Sequence, residues 1–260
     1  HTINRNPGQT DLRFDFLCPG ADGEPVGRAG AEDGVSAAAV AARAQALLEQ
    51  ASSLEEALAR HQGTGHLRVG ATLSIGNYLA VEIMARYMSE QEGARVELEV
   101  ANTETIVRKV ANFELDLGLI EGESRHPDLE MVHWRDDELV VFCAPDHPLA
   151  GKPWLSDDDL LDAAWIVREQ GSGTRQHFDW AMHGLLANMD IKLELQHTEA
   201  IKRAVEAGLG LGCLSEITLV DAFNRGRLVP LPVPHRDFHR RFYFALHRQK
   251  FRSTGVERWL

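Results

Sequence analysis

Two short stretches of this sequence carry residue types that suit the binding of a small anion. In the first, residues 164–167 predict a buried strand, Gly171-Ser172-Gly173 interrupts it, and Thr174 is predicted to cap the helix that follows. A strand that runs through glycine and serine into a helix presents free backbone N–H groups and the positive end of a helix dipole, which suits an oxyanion or a carboxylate. An ordinary strand-to-helix turn explains this stretch equally well.

The second stretch is Thr72-Leu73-Ser74, which follows another predicted strand at residues 67–71. Because Thr72 and Ser74 alternate with Leu73, we expect both hydroxyls to point the same way. Polar residues also follow two further predicted strands: Asn102-Thr103 and Glu121-Gly122. Each residue alone is better explained as a helix cap than as a ligand contact, but their recurrence at corresponding strand ends favours a polar cleft.

Hydrophobic periodicity predicts the elements that position these residues. A first βαβαβ unit is predicted from strands at 67–72, 95–100 and 115–120 and helices at 77–91 and 103–113, the latter capped by Thr103. Two extended runs follow, at 129–135 and 139–144. A second unit is predicted from strands at 164–167, 192–197 and 209–214 and helices at 174–188 and 199–207, with a late strand at 240–247 and a terminal helix from 254. This order predicts an α/β fold of two Rossmann-like halves, with a ligand outside the carboxyl ends of the strands.

The N-terminal part differs from the rest in composition and in hydrophobic periodicity. Residues 1–35 are rich in glycine and proline and lack periodicity, so we interpret them as disordered or non-native. Residues 36–63 predict a long helix with a heptad seam that would pair two helices, although a single amphipathic helix packed on its own domain would look similar: Val40, Ala44, Leu47, Ala51, Leu54, Leu58. The chain opens on His1 without a secretion signal, so we expect a truncated or engineered start and no export.

The composition limits the function classes. A net charge of −12 at pH 7 argues against nucleic-acid binding by this segment itself, because phosphate contacts need a basic face. Cys18, Cys143 and Cys213 lack metal-ligand spacing and two of them lie in apolar runs, so we expect reduced, inert thiols. No apolar run is long enough to span a bilayer. We therefore expect no membrane association and a cytoplasmic location.

Signals for catalysis are weak. Gly208-Leu-Gly-Leu-Gly212 superficially resembles a dinucleotide loop, but it follows a helix and enters a strand, the reverse of the fingerprint. Asp157-Asp158-Asp159 is better explained as a solvated helix start than as a metal cluster. The twelve histidines are scattered. We expect no catalytic residue, no metal and no cofactor.

Several motifs in order resemble one known family. They are Leu-Arg-Val-Gly-Ala-Thr at 67–72, Asn-Thr-Glu-Thr-Ile at 102–106, Leu-Asp-Leu-Gly-Leu-Ile-Glu-Gly at 115–122, Pro-Asp-His-Pro-Leu-Ala at 145–150, Gly-Ser-Gly-Thr-Arg at 171–175 and Val-Glu-Ala-Gly-Leu-Gly at 205–210. Together with the helix at 36–62, they resemble the LysR-type transcriptional regulators. Residues 1–35 do not look like that family's winged helix-turn-helix, so we expect this chain to lack operator binding of its own.

The resemblance implies a type 2 periplasmic-binding-protein-like effector domain at 66–260, after a dimerisation helix. Subdomain I would span about 66–144 plus a return at about 228–260, and subdomain II about 145–227. The family's effector contacts fall on a set of polar residues at the strand ends: Thr72, Ser74, Thr103, Glu121, Gly171, Ser172, Thr174 and, near the mouth, Lys202. Arg175 lies inside the helix and is expected to face solvent.

The implied function is effector sensing by a dimer or tetramer that controls transcription. Hydroxyls and helix N-termini without an aromatic cage favour an oxyanion or short carboxylate, with sulfate or sulfite as specific guesses. Two alternatives stay open: a periplasmic solute-binding protein, and an α/β enzyme that uses the same anion cleft.

Overall fold

The computed structural model describes residues 42–52 and 66–260, and the elements below lie within them. Helix α1 covers residues 42–52. The other helices are α2 (Leu73–Ile75), a π-helical segment (Gly76–Ala80), α3 (Val81–Glu90), α4 (Thr103–Ala111), α5 (Asp157–Asp162), α6 (Gly173–Ala181), α7 (Thr198–Glu206), α8 (Val220–Asn224) and α9 (Thr254–Glu257), with 3-10 turns at Leu186–Asn188 and Glu216–Thr218. The strands are β1 (His66–Ala71), β2 (Arg95–Val100), β3 (Leu117–Glu121), β4 (Leu129–Cys143), β5 (Ala164–Arg168), β6 (Asp190–Leu195), β7 (Leu211–Ser215), β8 (Val229–Leu231) and β9 (His239–His247). Within these ranges, no helix is both long enough and apolar enough to cross a membrane.

The strands form two parallel half-sheets joined by two long antiparallel strands. The order is β2-β1-β3-β9-β4-β7-β5-β6, with β8 paired to β4. Strand β1 runs parallel to β2 and β3, and β5 runs parallel to β6 and β7. The predicted α/β fold of two Rossmann-like subdomains is therefore confirmed.

One strand replaces the two extended runs that we expected after β3. Strand β4 is continuous from Leu129 to Cys143 and belongs to both half-sheets. It pairs with β9 through Glu138, and from Leu139 onward it pairs with β7. A register shift between His133 and Arg135 interrupts the pairing with β9, and such irregularities bend a strand and increase its twist. The sequence shows two runs because the exposed residues around this irregularity break the apolar pattern.

The return to subdomain I begins later than the predicted position near residue 228. Strand β8 pairs with the end of β4, inside the second half-sheet. Leu231, Val233 and Phe238 pack in the same buried cluster as Trp165 and Phe178 of subdomain II. The physical reason is that this apolar segment covers the α6 face of that half-sheet. The chain crosses back only with β9.

Each half-sheet is covered on both faces. In subdomain I, α4 contributes Ile106 and Val110 to one buried cluster, whereas Tyr87 of α3 belongs to another. In subdomain II, Phe178 of α6 and Ile201 of α7 likewise belong to different clusters. Right-handed crossovers that leave a strand in opposite directions place their helices on opposite faces. The consequence is that α4 meets α6 on one side of the molecule and the segment after β1 meets α7 on the other.

Two helix boundaries differ by four or more residues from the sequence prediction. The chain turns helical at Leu73, four residues before the expected start, so Ser74 lies in the first helical turn and the predicted strand-like alternation of Thr72 and Ser74 is wrong. Helix α6 ends at Ala181 rather than near residue 188. Gly184 follows with a φ of +87°, a backbone conformation that breaks a helix and suits glycine.

Candidate functional site

The caps of α4 and α6 are Asn102 and Ser172, one and two residues before the predicted caps Thr103 and Thr174. The Asn102 side chain accepts a hydrogen bond from the backbone N–H of Thr105 at 3.0 Å. The Ser172 hydroxyl accepts one from the backbone N–H of the third residue after it at 3.4 Å. A cap residue needs extended backbone angles, which Asn102 and Ser172 have. Thr103 and Thr174 are already helical, so their hydroxyls are available for contacts across the cleft.

The N-termini of α4 and α6 touch each other directly. The Thr103 hydroxyl accepts a hydrogen bond from the Gly173 N–H at 3.1 Å and lies 3.4 Å from the Glu121 carbonyl oxygen. The Gly171 carbonyl oxygen accepts a hydrogen bond from the Glu104 N–H at 3.1 Å. A Cβ atom on Gly173 would lie 2.1 Å from the Glu121 carbonyl oxygen, so only glycine fits. The backbone amides of Glu104 and Gly173, which we expected to be free for an anion, are thus hydrogen-bonded within the protein. These residues form a junction between the subdomains.

Glu121 lies at the centre of the interdomain contact and is 1% exposed. One carboxylate oxygen accepts a hydrogen bond from the Ser74 N–H at 2.9 Å. The other accepts one from the Thr174 hydroxyl at 2.7 Å and one from Arg240 at 3.1 Å. Burial alone would raise the pKa of Glu121, but Arg240 and the hydrogen bonds outweigh it and hold that pKa at about 2. The carboxylate is therefore charged at every physiological pH.

Arg240 is the residue of this cluster that the sequence prediction missed. It enters from β9, bonds Asp137 of β4 at 2.7 Å and contacts the Thr174 hydroxyl at 3.0 Å. Its second terminal nitrogen, Nη2, is buried without a hydrogen-bond partner among the described residues. Only the antiparallel pairing of β4 with β9 brings this position to the strand ends of both halves, so no local pattern signals it.

Several buried donors at the cleft lack a partner within the described part of the chain. They are the hydroxyls of Thr72, Ser74 and Thr198, together with Nη2 of Arg240. Buried polar atoms are nearly always hydrogen-bonded, and an unpaired one is costly. Thr198 was not predicted, although His197-Thr198 follows β6 as Asn102-Thr103 follows β2, and that parallel would have indicated it.

A side-chain contact joins the subdomains on the face opposite the α4–α6 junction. Lys202 Nζ lies 3.1 Å from the Tyr78 hydroxyl, 2.6 Å from a Glu199 carboxylate oxygen and 3.0 Å from the Thr218 carbonyl oxygen. The Tyr78 hydroxyl donates to the same carboxylate at 2.5 Å. Lys202, predicted near the mouth, is 8% exposed and lies one helical turn beyond Thr198. The segments that make this contact also carry two unpartnered hydroxyl groups, those of Ser74 on α2 and Thr198 on α7.

Arg175 is buried, and the expectation that it faces solvent is wrong. Its guanidinium donates to Asp179 and Glu194, at 2.7 Å in each case, and to the Arg168 carbonyl oxygen at 2.9 Å. The side chain lies against the half-sheet and ties α6 to β5 and β6. The sequence places Arg175 inside a helix but does not show which way its side chain points. That direction is set by how α6 packs on the half-sheet, with the Arg175 side of the helix facing inward.

A cavity of about 1150 Å³ opens on the α4–α6 face. Thr103, Gly171 and Ser172 line it, together with the exposed Trp180, whereas the unpartnered hydroxyl residues do not. The predicted contacts therefore fall into two groups, on either side of the Glu121 cluster. Their role as effector contacts stays a prediction.

The weak catalytic signals have structural explanations. The Gly208–Gly212 stretch forms the turn between α7 and β7, and Gly210 approaches the Ala164 carbonyl oxygen too closely for a side chain. Asp159 closes a capping box with Ser156 at the start of α5. Burial raises the pKa of the Cys213 thiol. Within residues 42–52 and 66–260, no group of three or more potential metal ligands occurs.

Similarity to known proteins agrees with this architecture. The LysR substrate binding domain family matches residues 60–260. The chain belongs to the LysR-type transcriptional regulators. It is 38% identical over 218 residues to the HTH-type transcriptional regulator YeiE of Escherichia coli (strain K12). The aligned region covers 84% of this chain and 73% of that protein.

Two further LysR-type relatives extend the agreement. The RuBisCO operon transcriptional regulator of Allochromatium vinosum is 32% identical over 214 residues, covering 82% of this chain and 70% of that protein. The regulatory domain of CcmR from Synechocystis PCC6803, solved in complex with 2-PG, matches with a TM-score of 0.70 and 33% identity, covering 75% of this chain and 94% of that chain. The region that the family matches, residues 60–260, is thus the effector-binding domain of a LysR-type regulator, the family and function that the motifs predicted.

Proposed function

We propose that this domain senses a small oxyanion or short carboxylate that binds between the subdomains against Thr72, Ser74 and Thr198. The observation that carries the proposal is the concentration of unpartnered buried donors at the strand ends, including one nitrogen of Arg240. A ligand with several acceptor oxygens satisfies such donors at once. The CcmR regulatory domain, which was solved in complex with 2-PG, supports a small ligand for a domain of this fold.

The charge of Glu121 narrows the choice of ligand further. Its carboxylate lies next to Ser74 and is ionised, because its pKa is about 2. A fully deprotonated anion that approaches Ser74 meets this negative charge, whereas a ligand that keeps one proton can donate it to the carboxylate. We therefore favour hydrogensulfite over sulfate as the first ligand to test, with hydrogen phosphate as a second.

Titration calorimetry and thermal unfolding with sulfite, sulfate, phosphate and acetate test the proposal. We expect sulfite to bind and to raise the unfolding temperature. Thr198→Val should weaken binding by about tenfold to a hundredfold, since a hydrogen bond to a charged group contributes about 1.5–3 kcal/mol. Ser89→Ala is the control, because Ser89 is exposed on α3 and its hydroxyl donates to the Arg86 carbonyl oxygen of the same helix.

The proposal fails if none of the four anions binds or stabilises the protein, or if Thr198→Val and Ser89→Ala bind equally well. Glu121→Gln adds a test of selectivity. Without the negative charge, the preference for sulfite over sulfate should shrink.

We also propose that the chain forms a dimer through α1. Ala44, Leu47 and Ala51 of the predicted seam are exposed, while the remaining seam residues lie outside the described residues. The opposite side of α1 faces the domain: Ala46 is 8% exposed and Glu49 lies 3.3 Å from Arg68. Leu47→Glu should shift the mass measured by native mass spectrometry toward that of the monomer. An unchanged oligomer would show that α1 is not part of the interface.

The proposed setting is the cytoplasm, where a regulator reaches its promoter. Effector binding would act on DNA through a winged helix-turn-helix that the described residues do not contain, by favouring one arrangement of the oligomer. We propose no enzymatic role, since the relatives are named as transcriptional regulators. Consumption of a bound anion by the purified protein would contradict this.

A further inference from the structure

The two faces of the cleft are closed in different ways. On the α4 side, backbone groups of residues 171–173 make the contact: the Gly171 carbonyl oxygen accepts from the Glu104 N–H, and the Gly173 N–H donates to the Thr103 hydroxyl. Gly173 is packed too tightly for even a Cβ atom. On the α7 side, the contact is made by side chains alone. A side chain can leave such a contact by changing its rotamer, whereas a backbone junction moves only with its helix.

The side-chain contact consists of Tyr78, Glu199 and Lys202, which we call the clasp. The Tyr78 hydroxyl donates to Glu199 and accepts from Lys202, so one hydroxyl of subdomain I holds two charged groups of subdomain II. The Lys202 ammonium makes three hydrogen bonds, the third to the Thr218 carbonyl oxygen, which fixes it on its own subdomain. Tyr78 is therefore the part of the clasp that crosses the cleft.

The local backbone presents Tyr78 in a specific way. It lies in a π-helical segment, Gly76–Ala80, inserted between α2 and α3. Such insertions change the direction of a side chain relative to the helix and are frequent at functional positions. Gly76 permits the segment to approach β2, because a Cβ atom there would lie 2.7 Å from a methyl group of Val100.

Two unpartnered polar groups lie close to the clasp along the chain. Ser74 lies one turn before Tyr78, and Thr198 lies one turn before Lys202. Both of these hydroxyls are buried without a partner in the described part of the chain. The clasp closes the α7 side near these groups, and the hydrogen bonds of Gly171 and Gly173 close the α4 side.

We propose that the Tyr78 hydroxyl is the gate of the effector cleft and sets how long a bound anion is retained. Opening requires Tyr78 to leave Glu199 and Lys202, and reclosure restores both hydrogen bonds over the ligand. This inference rests on the proposed anion-sensing function for its ligand arm, but the clasp itself is present without ligand.

Stopped-flow fluorescence with sulfite measures the gate. Tyr78→Phe keeps the ring and removes the hydroxyl, so the dissociation rate should rise about tenfold (about 1.4 kcal/mol) with no loss of association rate. Tyr243→Phe on β9 is the matched control and should leave both rates unchanged. An unchanged dissociation rate in Tyr78→Phe overturns the proposal.

Glu199→Gln separates a gate from a direct ligand contact. If Tyr78 and Lys202 simply touched the anion, removal of a neighbouring negative charge would tighten binding and slow dissociation. In a clasp, the same substitution weakens the hydrogen bond from Tyr78 and speeds dissociation. Slower dissociation in Glu199→Gln therefore overturns the proposal.

Hydrogen exchange of the ligand-free protein keeps the two proposals distinguishable. Backbone amides of residues 74–80 and of the first turn of α7 should exchange faster in Tyr78→Phe than in Tyr243→Phe. If wild type fails to bind sulfite but this difference is found, the proposed ligand is wrong and the clasp stands. If the difference is absent, the clasp is wrong whatever the ligand.

Discussion

The buried charge of Glu121 makes a prediction that can be worked through in numbers. Its pKa is held at about 2 in the folded protein, against a reference value of 4.5. A carboxyl whose pKa is lower in the folded state stabilises the protein above the unfolded-state pKa, and that contribution is lost as pH falls through the folded-state pKa. The shift corresponds to about 3 kcal/mol at pH 7 and about 2 kcal/mol at pH 3.5, since each pKa unit is worth about 1.4 kcal/mol.

Glu121→Gln removes this titration while keeping the side-chain volume. We expect the variant to be about 3 kcal/mol less stable than wild type at pH 7, because Arg240 loses a buried partner. The difference between the two proteins should shrink by about 1 kcal/mol at pH 3.5. Urea unfolding followed by tryptophan fluorescence at both pH values measures it.

Glu123→Gln is the control, since Glu123 is an exposed carboxylate two residues further along the chain. It should change the free energy of unfolding by no more than about 0.5 kcal/mol. If the deficit of Glu121→Gln is the same at both pH values, the ion pair with Arg240 does not depress the pKa of Glu121. The argument for a proton-bearing ligand then fails with it.

Three further predictions concern stability and reactivity. Gly173→Ala should lower the free energy of unfolding by about 1–3 kcal/mol, measured by thermal unfolding, because its Cβ would lie 2.1 Å from a backbone carbonyl oxygen of β3. Gly151→Ala is the control and should be close to neutral, because a Cβ atom there would have nothing within 4 Å. Equal effects of the two substitutions would refute the tight α4–α6 junction. Arg175→Leu should lower the free energy of unfolding by about 2 kcal/mol in urea, because it leaves the buried Arg168 carbonyl oxygen unpaired. A neutral result would place the side chain in solvent. Cys143 and Cys213 should resist iodoacetamide at pH 7.5 until denaturant is added, because burial raises the pKa of Cys143 to about 11 and that of Cys213 further. Peptide mass mapping measures the labelling, and rapid labelling of the native protein would contradict the prediction.

Much of the fold was determined by patterns within short stretches of sequence. Buried parallel strands are continuous apolar runs, as at residues 164–167 and 211–214, and glycine, serine and threonine mark the turns into the helices that follow. These local signals predicted the two βαβαβ units and the polar character of their strand ends. They also singled out Thr72, Ser74 and Glu121 as candidate contacts, and all three are buried in the structure.

The partners of these residues were decided only by the tertiary structure. The cap of α4 lies one residue before the predicted Thr103, and the cap of α6 lies two residues before the predicted Thr174. Such a shift changes which hydroxyl crosses the cleft, and propensity does not resolve it. Arg240 reaches the cluster from more than a hundred residues away because β9 pairs with β4.

Long-range pairing also decided the closure of the cleft. Tyr78 and Lys202 meet because two helices on the same face are brought together by strands that the sequence separates widely. Sequence alone determined that the strand ends are polar, since that depends on neighbouring residues. Which polar groups bond one another, and which are left for a ligand, depends on contacts between residues far apart in the chain, and those exist only in the folded protein.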